Sequence, residues 1–408
     1  MYKKYFYLCS TLMYLCVLSR VHAQGVEEVR QLGASLDQFS LTFLAKTSRQ
    51  IGDTINIALS PYTIWSLLNI IREGALENTA VELENTLGIP SNQDKDLFRR
   101  NFQILGKYLS RKNNVDVTLE TTNSIFTAAD QELKSTYLQV VERFYQAEIL
   151  PVDFRNIKEA INTINNRVSN ATKGRIPNLV KEGDIQNADV FISSVLFFKG
   201  LWANQFNKSA TTREAFYDEN GKEIGKVDMM NSFDIYPFSM ILSNTATAVE
   251  LAYKGNMSMI AILPKQGITL QSVLDNLAEQ PFSNILDALD RSMIDFGDDP
   301  VYIHIPKFSI TSDLTINAIL YEMGIHDLFN ADRANLLGMF NHYLYVSRIL
   351  QRAEIQVDEE GTVASAATGA NIQNKTRPPR FLANRPFAYF IVDKLSRAII
   401  FAGKFSQP

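Results

Sequence analysis

The residues whose types and spacing suit a chemical event lie between Glu359 and Arg380, and in that event the chain would be the substrate. From Gly361 to Ile372 the sequence holds no charge, no proline and no bulky aromatic. Three basic residues follow, Lys375, Arg377 and Arg380. A basic side chain in an exposed extended loop fits a protease whose primary pocket holds a carboxylate. Arg377 precedes Pro378 and is a poor cleavage site, and Arg380-Phe381 adjoins the start of a later strand.

The tract before these residues has its own chemistry. In a strand, side chains alternate between faces. Thr362, Ala364, Ala366 and Thr368 then share one face, and Val363, Ser365, Ala367 and Gly369 the other. The first set is small enough to pack under a sheet, no charge is buried by either, and no proline deletes a ladder hydrogen bond. Such a segment suits two states, exposed loop and inserted strand, with Gly361 supplying backbone freedom. Its composition also suits a plain linker or a turn or two of helix, because alanine favours helix.

Other chemistry has little to work with. Beyond residue 23 the histidines are His304, His326 and His342, with no HExxH spacing, and there is no GxSxG, P-loop or GxGxxG motif. We expect no enzyme, no cofactor and no metal. Both cysteines, Cys9 and Cys16, fall in the first 23 residues. There Lys3 and Lys4 precede an apolar run from Tyr5 to Leu18, and Val21 and Ala23 stand before a cleavage point at Gln24. That is the pattern of a secretory signal peptide, and the run is short for a bilayer span. We expect a secreted, extracellular protein in which residues 24–408 form one domain without disulfides.

The 408 residues carry a net charge of −4, and removal of Lys3, Lys4 and Arg20 makes it three units more negative. This speaks against nucleic acid as a partner. No later segment is apolar enough for a membrane, and a monomer is expected. The elements that must position the loop read as helices early and strands late. Helical spacing covers Val26 to Thr47, a second helix opens at Ser60-Pro61, and others follow around Glu77 to Leu87, Asp96 to Ser110, Ser135 to Glu148 and Ile157 to Asn170. Strands are expected at Val115 to Glu120, Val190 to Phe198, Thr247 to Ala252, Met257 to Leu263, Val301 to Ile310, Tyr345 to Val357, Phe387 to Val392 and Ala398 to Phe405. Their order suggests an α+β architecture with large, mostly antiparallel sheets.

Several motifs in order along the chain then resemble the serpin family. They are Asn56-Ile57-Ala58-Leu59-Ser60-Pro61, Phe197-Phe198-Lys199-Gly200-Leu201-Trp202 with Phe206, Ile305-Pro306-Lys307-Phe308, and Met323-Gly324-Ile325 with Asp327 and Phe329. Glu359-Glu360-Gly361-Thr362, Asn384-Arg385-Pro386-Phe387 and Phe401-Ala402-Gly403-Lys404 complete the series. The resemblance implies three β-sheets, about nine helices and an exposed reactive loop at about 359–380. It implies a suicide-substrate inhibitor of trypsin-like serine proteases, in which the cut loop enters the central sheet before the acyl-enzyme hydrolyses. It also implies a hinge of Glu359, Glu360, Gly361, Thr362, Val363, Ala364, Ser365, Ala366, Ala367 and Thr368. The family register puts the reactive bond at Lys375-Thr376, fourteen positions after Gly361 and nine before Asn384. A non-inhibitory relative acting as carrier, storage protein or chaperone is the alternative, but such members commonly carry charge, bulk or proline in the hinge.

The chain departs from the family where the central sheet opens. Gln351 stands for a usual histidine and Ser194 for a usual asparagine, so a Gln–Ser contact is expected there, with Ser60, Thr63 and Trp202 in the same region. Candidate N-glycosylation sites are Asn170, Asn207 and Asn256, and a fourth sequon at Asn374 adjoins the reactive bond, where we expect no glycan. Lys95, Arg99, Arg100, Lys107, Arg111 and Lys112 cluster around a helix that binds glycosaminoglycan in some serpins. Interleaved Asp94 and Asp96 favour a plain solvated helix, leaving glycosaminoglycan as a secondary candidate partner.

Overall fold

The computed structural model describes residues 30, 32–114, 116–145, 147–186, 188–297, 299–360 and 378–408. Leu32, Leu36, Phe39, Phe43 and Leu44 are buried in a helix over residues 32–51, the apolar stripe that its spacing predicts. The next helix, Pro61–Gly74, begins at an N-cap: the Ser60 side chain accepts from the Thr63 amide, and Pro61 takes a first-turn position where its missing N–H costs nothing. Nearly all of this helix is buried, so it serves as a core element rather than a cover. Lys95–Ser110, capped by Asp94, buries Phe98, Phe102, Leu105 and Leu109 on one face. Ile157–Ala171, capped by Asn156, buries Ala160, Ile164 and Val168 in the same way.

Three sheets pack around these helices. The first has six strands in the order Ile57–Leu59, Ile399–Phe405, Phe387–Asp393, Met257–Pro264, Ala246–Ala252 and Phe238–Ile241, all antiparallel to their neighbours. The second has four, in the order Arg380–Leu382, Val301–Pro306, Glu223–Asp234 and Thr212–Tyr217. The central sheet has five, in the order Phe308–Thr315, Val346–Val357, Val190–Gly200, Val117–Ala128 and Glu148–Val152. Val190–Gly200 is buried almost throughout, as an uncharged run flanked on both faces requires.

The structure corrects several expectations. Val301 to Ile310 is not one strand. Val301–Pro306 lies in the four-stranded sheet and Phe308–Thr315 in the central one. The chain changes sheets at Lys307, whose amide donates to the Asp228 carbonyl, directly after a proline that cannot donate to a ladder. The sheets are mostly antiparallel, as expected, but in the middle of the central sheet Val346–Val357 and Val190–Gly200 run parallel. The Ser135 to Glu148 helix is shorter, with Ser135–Val140 passing into a π-helical turn Val141–Tyr145 and then into strand Glu148–Val152. Thr212–Tyr217, Glu223–Asp234 and the helices Leu270–Ala278 and Ser283–Phe296 were not among the expected elements.

Candidate functional site: a parallel seam and the chain that leaves it

The central pair of parallel strands meets along a seam, and its middle is polar. Gln351 lies opposite Ser194 in the register, and both are essentially inaccessible. The Gln351 carboxamide holds the start of helix Pro61–Gly74 from below. Its Oε1 accepts from the Ser60 amide at 3.1 Å, and its Nε2 donates to the Ser60 carbonyl at 2.8 Å and to Thr63 Oγ1 at 3.2 Å. Ser194 Oγ donates to Thr63 Oγ1 at 2.6 Å and lies 3.4 Å from Gln351 Nε2. Ser60 Oγ donates to the Ile400 carbonyl at 3.0 Å, tying the knot to the six-stranded sheet. Four of the five expected opening-region residues are therefore in mutual contact, with Thr63 the hub and the Gln351–Ser194 contact the longest of the set.

Trp202, the fifth, sits at the far end of the seam. Its indole Nε1 donates to the Asp358 carbonyl at 2.7 Å, and its ring stacks on Tyr253 at 4.0 Å and meets Phe206 edge-on. Asp358 follows strand Val346–Val357, so Trp202 holds the point where the chain leaves the sheet.

Basic residues that sequence reasoning left without a role hold the next two carboxylates. Lys307 reaches Glu359 at 2.9 Å, and Thr211 donates to the same carboxylate. Lys208 reaches Glu360 at 3.1 Å, and Lys199 lies 3.1 Å from Asp358 and 3.6 Å from Glu360. Burial opposes ionisation of Glu359, yet Lys307, a backbone N–H and Thr211 together hold its carboxyl below the ordinary range. Glu360 is likewise lowered, first by its hydrogen bond to Lys208. Glu359 in turn raises Lys307. Lys199 and Lys307 belong to the Phe-Phe-Lys-Gly and Ile-Pro-Lys-Phe motifs, so the signal was present in the residues already singled out.

A strap crosses the outer side of the seam. The segment after helix Ile157–Ala171 is held by Asn165, whose Oδ1 accepts from the Leu179 and Val180 amides. Val168 and Ile176 pack on Val195 of the sheet. Arg175 lies 4.2 Å over the Phe197 ring and, with Lys173, pairs with Glu120. From the other strand Arg352 donates to the Asn178 carbonyl at 3.0 Å and pairs with Asp313. Arg352 and Val195 are partners across the seam, so the strap is fastened on both of its sides.

Gly361 to Thr368, the pair Lys375 and Thr376 expected to form the reactive bond, and Asn374 lie outside the described residues. The other sequon asparagines, Asn170, Asn207 and Asn256, are exposed. Asn207 Oδ1 accepts from the Ser209 amide and hydroxyl, in a turn beside the Lys208–Glu360 pair. The basic helix is a correction. Arg99 forms a two-pronged pair with Glu73, and Lys112 pairs with the fully buried Asp393 at 2.9 Å and donates to the Gly255 carbonyl. Two of the six basic residues are thus consumed inside the fold. No metal-binding group of acidic, histidine or cysteine side chains occurs among the described residues, and no described helix is long and apolar enough to cross a membrane.

A family model described as Serpin (serine protease inhibitor) matches residues 34–408. Macrophage plasminogen activator inhibitor 2 of Mus musculus is 30% identical over 93% of this chain and its own full length. Antithrombin-III of Homo sapiens is 30% identical over 93% of this chain and 82% of its own. The crystal structure of mouse protein-Z dependent protease inhibitor superposes with a TM-score of 0.82 at 24% identity, covering 94% of this chain and 99% of that one.

Proposed function

The chain belongs to the serpin family, and we propose that it is a secreted suicide-substrate inhibitor of trypsin-like serine proteases with its reactive bond at Lys375-Thr376. The target's serine hydroxyl adds to the Lys375 carbonyl. The peptide bond to Thr376 breaks, the new amine leaves with a proton, and Lys375 remains as an ester on the protease. The severed tract from Gly361 then enters the central sheet and carries the acyl-enzyme with it.

One observation supports this reading above the others. The chain leaves strand Val346–Val357 at the end of a parallel seam. A segment folding back there runs antiparallel to both seam strands. It replaces one parallel pairing by two antiparallel ones, and antiparallel ladders are slightly the more stable per residue. The uncharged tract after Glu360 lets this happen without burying a charge. The native form is then a kinetic trap, released by cleavage.

The four buried hydroxyl and amide groups at the seam's middle support the same reading, because polar contacts can be exchanged for water as strands part. Glycosaminoglycan remains a secondary partner, carried by Lys95, Arg100, Lys107 and Arg111 only. The test is to mix the protein with trypsin and separate the products on a denaturing gel. A heat-stable covalent complex with a released C-terminal fragment beginning at Thr376 is expected. Cleavage without complex would turn the reading to the carrier or storage alternative.

A further inference from the structure

We propose that the pocket between Arg385 and the turn at residues 265–268 is an anion site of monatomic size, filled by chloride. Arg385 belongs to the Asn384-Arg385-Pro386-Phe387 motif, to which neither the fold nor the inhibitor reading gives a role. It stands in the link between strands Arg380–Leu382 and Phe387–Asp393, where the chain passes from the four-stranded sheet to the six-stranded one. A guanidinium carries five N–H donors. Two acceptors meet them here: the Pro264 carbonyl accepts from Nη2 at 2.6 Å, and the Leu382 carbonyl from Nη1 at a long 3.5 Å. Nε is buried and has no partner. Among the described residues Arg385 forms no ion pair, and burial pulls its pKa below the ordinary arginine value with no neighbouring charge to offset it. A half-buried cation without a counter-charge is costly. A water molecule there supplies an acceptor but no charge, whereas an anion supplies both.

The size of the pocket says which anion. Its volume is about 10 Å³, room for one water-sized body. A chloride ion is only slightly larger than a water molecule, whereas a carboxylate, sulfate or phosphate would leave most of its atoms outside. Pro264, Ile268 and Pro386 supply apolar lining. Lys265, exposed and in no ion pair among the described residues, adds a second positive charge at the edge. The turn itself is closed by the Ile268 amide, which donates to the Lys265 carbonyl at 3.0 Å. Glu219 lines the same pocket with the opposite sign. Its Oε1 accepts from the Leu270 amide at 2.6 Å, so its charge is directed to the start of helix Leu270–Ala278 and not to Arg385. An ion between Arg385 and the turn joins the link between the two sheets to the chain that leaves strand Met257–Pro264, and so ties that junction together.

The site stands independently of the reactive bond, and its test needs no protease. The full-length protein is titrated with sodium chloride at constant ionic strength, gluconate being the anion replaced, and the chlorine NMR line width is followed. Saturable broadening is expected in the wild type. Arg385→Gln should bind chloride about tenfold more weakly or worse, because a charge and its hydrogen bonds are lost. Glu219→Gln should bind a few-fold more tightly, because a like charge is removed. Wild-type crystals soaked in sodium bromide carry the test if Arg385→Gln does not fold, and an anomalous peak beside the Arg385 guanidinium is expected. Absence of saturable broadening in the wild type overturns the site. So do unchanged affinity in a folded Arg385→Gln, equal or weaker affinity in Glu219→Gln, and a bromide-soaked crystal with no peak in the pocket.

Discussion

The six-stranded sheet and the seam of the central sheet are built on opposite principles. In the first, every neighbouring pair is antiparallel, and strands Phe387–Asp393 and Ile399–Phe405 are buried from end to end behind Phe308, Tyr389 and Phe405. Interlocked apolar side chains cannot part without opening a cavity. At the seam the strands are parallel, and the middle holds Ser60, Thr63, Ser194 and Gln351 instead of bulk. Ser193 and Ser124, neighbours in the next register position, add two buried hydroxyls without partners. One sheet is thus a lock and the other a place where opening exchanges hydrogen bonds rather than tearing out hydrophobic contacts. In the proposed mechanism, metastability is a local property, placed where small polar groups replace packed rings.

The largest effect expected from breaking that contrast is at the segment that would fill the seam. Thr362→Arg puts a charge on the face that becomes interior, a burial costing several kcal/mol without a partner. The variant should be cleaved by trypsin as a plain substrate. Undiminished covalent complex on a denaturing gel would contradict strand insertion.

The next effect lies in the locked sheet. A Cβ on Gly403 would stand 2.1 Å from the Ile57 carbonyl oxygen and 2.4 Å from the Tyr389 hydroxyl. Gly403→Ala should therefore cost about 3 kcal/mol or prevent folding, measured by thermal or urea unfolding. At the seam, Gln351→Ala leaves the Ser60 amide and carbonyl without their side-chain partner. About 2 kcal/mol of native stability should be lost, and the variant should accept a synthetic peptide of residues 361–372 faster than wild type, followed by native gel mobility. Equal rates would show that the polar knot does not guard the opening. The strap should matter less. Arg352→Met and Arg175→Met each remove partly exposed contacts worth about 1 kcal/mol or less, so peptide insertion should speed up by a few-fold at most.

The contrast also explains what could be read from sequence. The apolar runs of the six-stranded sheet and Val190–Gly200 were legible because burial on both faces leaves an unbroken apolar signature. The uncharged tract from Gly361 was legible because its composition is unusual for a loop. Ser60, Thr63, Ser194, Trp202 and Gln351 were legible only through family resemblance, since no local pattern says that residues some 290 positions apart, such as Ser60 and Gln351, share a hydrogen bond. The sheet change at Lys307 was missed because its signal is short: the buried set shifts from Val301, Ile303 and Ile305 to Phe308 and Ile310, one change of phase across Pro306-Lys307 inside a run that otherwise reads as a single strand. Short exposed strands such as Thr212–Tyr217 carry too little periodicity to be seen. The Lys307–Glu359 pair joins residues 52 positions apart and has no one-dimensional signal, although each lies in a motif that was noticed.

That pair yields the smallest effect and the only one set by pH. Glu359 and Glu360 have carboxyls lowered in the folded state, so their ion pairs stabilise the exit of strand Val346–Val357 above the ordinary glutamate range. As pH falls through the lowered values the carboxylates protonate, Lys307 and Lys208 lose their partners, and this contribution disappears. Between pH 5 and 8 the two lowered carboxyls stay ionised, and Gln351 places no imidazole at the knot, so opening should be insensitive to pH across that window. Below about pH 4, amide exchange at residues 358–360, taken relative to its intrinsic rate at each pH, should quicken. Lys307 is nearly half-exposed, which limits its pair to about 1 kcal/mol or less. Lys307→Met should show the quicker exchange already at neutral pH and flatten its acid dependence. If exchange there rises equally with acid in wild type and Lys307→Met, the strand exit is held by Trp202 and its bond to the Asp358 carbonyl rather than by charge.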